Sequence, residues 1–72
     1  MNTDRLIQMA NDIADFFDSE TDKMLAVENV KNHLTKFWDP RMRKSIIAYC
    51  QTDGSELHAL VRDAVKKLDS VN

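Results

Sequence analysis

The chain has 72 residues, a net charge of −2 and one cysteine, which suits a single domain with a thin core and leaves no intrachain disulfide to reinforce it. Bases do not outnumber acids, so the excess of Lys and Arg that a phosphate backbone rewards is missing, and nucleic acid is disfavoured as a partner. No apolar run approaches the roughly 20 residues that cross a bilayer, and Asp4 and Asp12 around Leu6 and Ile7 lack a signal peptide's layout, so a cytoplasmic location away from membranes is expected.

Thr3 reads as an N-cap, and after it Leu6, Ala10, Ile13 and Phe17 recur at helical spacing, with Met9 and Phe16 on one flank and Asp4, Asn11, Asp12 and Asp15 facing the other way. This first helix is expected over about 3–18. Ser19, Glu20, Thr21 and Asp22 form a polar break rich in capping residues, and a second helix follows over about 23–38. Its stripe is Met24, Val27, Val30, Leu34 and Trp38, with Phe37 on the flank. Both segments end in an aromatic pair, but shared apolar spacing alone does not make an internal repeat.

The Asp39–Pro40 step reads as an N-cap followed by proline at the first helical position, which stops one helix and starts another at once. The third helix, about 40–51, turns Met42, Ile46, Tyr49 and Cys50 to one side and Arg41, Lys44 and Ala48 to the other. Thr52, Asp53 and Gly54, the only glycine, close it, since glycine adopts the left-handed cap conformation without strain. Ser55 is the expected cap of a fourth helix, about 55–69, burying Leu57, Leu60, Val61, Ala64 and Leu68. No strand pattern competes, so the expected fold is all-α, a small bundle of four short helices forming one domain over 1–72.

The charges of the fourth helix follow the macrodipole, with Glu56 early and Lys66 and Lys67 late. The third does not. Arg41, Arg43 and Lys44 fall in its first turn, where exposed N–H groups already present positive charge, and only Asp39 offsets them. Breaks of a local rule tend to mark places where a fold serves something else, so the corner from Phe37 to Arg43, holding the only Trp and the only Pro, is the first candidate for function. Trp38 at stripe spacing reads most simply as core, whereas Phe37 and Phe16 lie off their stripes. Aromatics beside Arg are favoured at the centres of protein interfaces. Arg41 and Arg43 are expected either in ion pairs with Asp39 or the acids of Asp12 to Asp22, or on the carboxylates and carbonyls of another protein, which their planar forks suit.

Catalysis finds little support. His33 and His58 are single histidines on different predicted helices, Cys50 sits among apolar residues as a small hydrophobe, and no spacing pairs a nucleophile with a base or gathers metal ligands. No catalytic, cofactor-binding or metal residue is assigned. A helix-turn-helix reader is also disfavoured, the bases being few and the chain acidic.

Beyond these patterns, nearly the whole chain resembles the delta subunit of the cytoplasmic, NAD-dependent, molybdenum-containing formate dehydrogenases. The resemblance runs through Asp4, Arg5, Leu6, through Met9, Ala10, Asn11, through Ile13 to Phe17, and through Asn32, His33, Leu34. It is most specific over Phe37, Trp38, Asp39, Pro40, Arg41, Met42 and Arg43, and looser over Leu60, Val61, Arg62 and Ala64. The acidic residues between Phe17 and Lys23 look like the family's variable linker. What the resemblance implies is a non-catalytic accessory subunit that binds no cofactor of its own. A large subunit would carry molybdopterin and most iron–sulfur clusters, and other subunits FMN and the site that reduces NAD. This chain would dock on the large subunit to assemble or stabilise the complex, with Phe16, Phe37, Trp38, Asp39, Arg41, Met42 and Arg43 as the partner-binding residues. A transient assembly factor and a self-associating helical module, pairing Phe16 with Phe37 across a two-fold axis, remain open alternatives.

Overall fold

Each helix of this protein begins on a side chain that accepts its first free N–H groups, and those caps set the frame of the computed structural model, which describes residues 2–71. The helices are α1 (Thr3–Phe17), α2 (Lys23–Phe37), α3 (Pro40–Thr52) and α4 (Ala59–Val71), and among the described residues there is no strand. Asp22 accepts from the amides of Met24 and Leu25 at the start of α2, and Asp39 from Met42 at the start of α3 with Pro40 at the first helical position. At α1 the cap is Asn2, whose Oδ1 accepts from the Asp4 amide at 2.9 Å. Thr3, expected in that role, is instead the first helical residue; both types cap helices, and the stronger of the two holds the position.

The start of α4 also differs from the Ser55 expected of the sequence. The Ser55 hydroxyl turns back to Asp53 at 3.0 Å, and the chain makes a further turn in which Leu57 enters the core before the helix begins at Ala59. His58 is the residue that caps it: its Nδ1 accepts from the Leu60 amide at 3.0 Å, while its carbonyl accepts from Val61 and Arg62. Three distant side chains hold this connection open. Asn11 of α1 donates to the Glu56 carbonyl and accepts from the His58 amide, Tyr49 of α3 accepts from the Glu56 amide, and Arg62 of α4 donates to the carbonyls of Leu57 and Gly54. Gly54 stands at φ 71°, and a Cβ there would meet the Cys50 carbonyl oxygen at 3.1 Å, so this position needs glycine on both counts.

One apolar core runs through all four helices, with α2 packed most extensively on α4. α4 buries Leu60, Val61, Ala64, Val65 and Leu68. α1 presents Leu6, Ile7, Ala10 and Ala14, a face rotated from the expected one: Ala10 and Ala14 are fully buried, Ile13 and Phe17 are left half-buried at its edge, and Phe16 lies outside. α2 buries Ala26, Val27, Val30 and Leu34, and Trp38 follows into the core. Met24, placed on that stripe by spacing, lies in the first turn and is 78% exposed. In α3, Ile46 and Ile47 are buried and Met42, Tyr49 and Cys50 pack half-buried against them.

Candidate docking face

The corner between α2 and α3 is built by the Asp39 cap and by the residue that the macrodipole rule disfavours. Trp38 leaves α2 in an extended conformation and is 4% exposed, so its indole anchors the corner from inside. Arg43, one turn into α3, swings its guanidinium back across the corner. There Nη1 donates to the carbonyls of Leu34 at 3.4 Å, Thr35 at 3.3 Å and Trp38. The Leu34 carbonyl also accepts from the Trp38 amide at 3.1 Å, and a cation is favoured where the carbonyls at the end of a helix converge. Charge that is misplaced for α3 is therefore well placed for α2. Arg43 forms neither the ion pair with Asp39 nor one with the acids of Asp12 to Asp22: it reaches backbone carbonyls of its own chain. Arg41 is exposed and, among the described residues, makes no hydrogen bond or ion pair. Met42 is half-buried against the core, and Asp39 is engaged as the cap.

The exposed aromatics form a separate surface on α1 and α2. Phe16 and Phe37 are 76% and 71% exposed, high for rings of this size in a chain with few other apolar groups at its surface. They are joined by a chain of ring contacts. Phe16 meets Phe17 edge-on at 5.0 Å between centroids, Phe17 lies 6.5 Å from His33, and His33 lies 4.7 Å from Phe37, its neighbour one turn along α2. Asp12, Ile13, Phe16, Phe17 and His33 line a shallow, largely apolar depression between the two helices. The His33 Nδ1 is buried and has no hydrogen-bond partner.

Sequence reasoning missed His33 as a member of this face and set it aside as an isolated histidine. The available signal was its position four residues before Phe37, which places both on one side of a helix. It also set Asn11 toward solvent, where the structure has it bonded to Glu56 and His58, 45 and 47 residues away. His58 itself faces acids, with Nε2 at 3.8 Å from Asp18 and 4.0 Å from Asp15. Among the described residues no three His, Cys, Asp or Glu side chains gather as metal ligands, and no helix is long and apolar enough to cross a membrane. The surface is a row of aromatic rings on a helix pair, with a buried Trp and a capped corner at one end.

Compared with known proteins, residues 5–65 match the family model of the NADH-dependent formate dehydrogenase delta subunit FdsD. No curated protein and no solved structure matches the chain.

Proposed function

The chain belongs to the delta-subunit family of the NADH-dependent formate dehydrogenases, and we propose that it works as a non-catalytic accessory subunit docking on the large, molybdenum-containing subunit to assemble or stabilise the complex. Molybdopterin, iron–sulfur clusters, FMN and the NAD site reside in this reading on the other subunits, in the cytoplasm, and this chain binds none of them.

The observation that carries the proposal is the Phe16–Phe17–His33–Phe37 row, with two phenylalanines more than 70% exposed. Fully covering one such ring contributes about 1.5–3 kcal/mol, and two near the middle of an interface outweigh much of the cost of association. A thin four-helix core gains from a permanent partner in the same measure, because whatever binds only the folded state adds to its stability. Arg41 supplies an unengaged cation at the corner beyond Phe37. Trp38, Asp39, Met42 and Arg43 hold that corner in shape behind it.

Replacing Phe16 and Phe37 together by Ser tests the reading. Both rings are exposed, so the double variant keeps its helical content and unfolding midpoint. Co-expressed with the dehydrogenase subunits, it should no longer co-purify, and the yield of assembled complex should fall. Recovery of the variant in the same proportion as the wild-type chain would overturn the proposal.

A further inference from the structure

We infer that the depression at the Phe16 end of this face receives an arginine carried on an apolar segment of the large subunit; the inference rests on the docking reading above and specifies the chemistry of what docks. Asp12 and Phe16 stand four residues apart on α1, so a carboxylate and an aromatic face lie one helical turn from each other on the same side. Both are exposed and both line the depression. Among the described residues Asp12 has no hydrogen bond or ion pair.

The surroundings favour a cation. Of the five acids from Asp12 to Asp22, Asp15 and Asp18 face His58 at 4.0 and 3.8 Å, Asp18 also pairs with Lys23 at 3.3 Å and Asp22 caps α2, so the carboxylate at the depression is that of Asp12. An acidic ligand would meet both this carboxylate and the negative face of the ring. A guanidinium fits where an ammonium fits less well, because its plane stacks on an aromatic ring while its edge donates two parallel hydrogen bonds to a carboxylate. The segment bearing it is apolar because the rest of the depression is Ile13, Phe17 and the His33 ring. The corner beyond Phe37, where sequence alone suggested that this chain's own arginines do the recognising, has Arg43 drawn inward to carbonyls. The polarity of recognition at the Phe16 end is thus reversed: acid on this chain, arginine on the partner.

The test measures affinity for the large subunit purified without this chain, at low and at moderate salt, for the wild type, Asp12→Asn, Phe16→Leu and the pair combined. Asp12→Asn should weaken binding about tenfold or more and flatten its salt dependence. Phe16→Leu, which keeps an apolar group but removes the ring face, should weaken it severalfold. Combined, the two should cost less than the product of the separate losses, because they act on one group. Unchanged affinity in Asp12→Asn and Phe16→Leu, while the Phe16 and Phe37 double Ser variant loses binding, would remove the arginine and leave the docking reading standing. Unchanged affinity in all variants would remove both. Sedimentation of the isolated chain checks a second copy as occupant: a dimer that Asp12→Asn converts to monomer would overturn the inference in favour of self-association.

Discussion

Arg43 donates from the first turn of α3 to the carbonyl of Trp38, the residue that ends α2, and the same guanidinium nitrogen reaches the carbonyls of Leu34 and Thr35. One side chain thereby closes the C-terminus of the helix before it. Truncating it removes the charged donor from the Thr35 and Trp38 carbonyls and leaves that of Leu34 only its bond from the Trp38 amide, so Arg43→Ala should destabilise the chain by about 1.5–3 kcal/mol. Arg41→Ala, two residues away and exposed, should stay within about 0.5 kcal/mol of wild type. Urea unfolding of the two variants side by side measures the difference, and equal midpoints would refute the capping role.

Asn11 fastens α1 to the α3–α4 connection through both ends of its amide, at 2.9 Å to the Glu56 carbonyl and 2.8 Å from the His58 amide. Asn11→Ala should cost about 2 kcal/mol and speed hydrogen exchange at His58 and Leu60 more than elsewhere. Asn11→Asp retains the acceptor for His58 but sets a carboxylate against the Glu56 carbonyl, so it should fall no closer to wild type than the Ala variant. Exchange that accelerates evenly over the chain would contradict the local clamp.

Gly54 tolerates substitution only as far as its backbone allows. At φ 71° and with the Cys50 carbonyl 3.1 Å from a Cβ, Gly54→Ala should cost about 1–2 kcal/mol, and Gly54→Asn less strain at the backbone, since Asn enters the left-handed region more readily. Thermal midpoints should therefore run Gly54, then Asn, then Ala. An Ala variant as stable as wild type would show that the turn can relax around it.

Glu28 joins α2 to α4. The hydrogen bond from Lys67 at 3.0 Å, then the positive charges of Lys31 and Lys67, hold its carboxyl below the ordinary value. A depressed carboxyl contributes stability that is present above its unfolded value and is lost as pH falls through its folded value. Glu28→Gln should accordingly be slightly less stable than wild type at neutral pH and should converge with it under acid. The difference is small because the group is exposed. A gap that persists or widens at low pH would assign the effect to something other than the charge.

The helices, the capping role of Asp39 and the αL glycine were legible because each depends on a handful of consecutive residues, whereas the cap of α2 was narrowed only to the Ser19 to Asp22 break. Asp39–Pro40 caps α3 as it reads, and Gly54 takes a positive φ as its type suggests. Where local rules were equivocal the reading slipped. Thr3 and Asn2 are both capping types, and Ser55 lost its role to His58 once Asn11 and Tyr49 took hold of the preceding turn. The anomaly of three bases opening α3 was correctly seen, but its resolution was not, because a hydrogen bond to the preceding helix leaves no mark in spacing.

Amphipathic period and end-capping, both written within one or two turns of chain, were enough to make this a four-helix protein with Phe16 and Phe37 off their stripes. Tertiary packing alone chose which arc of each stripe is covered, so that α1 buries Leu6, Ile7, Ala10 and Ala14 while Ile13 and Phe17 lie half-buried at the edge. It also turned Arg43 inward, drew Asn11 across to residues 45 and 47 positions away, and brought Phe17 beside His33. Those outcomes depend on how four rigid helices settle against one another, a balance of contacts between residues that no local pattern connects.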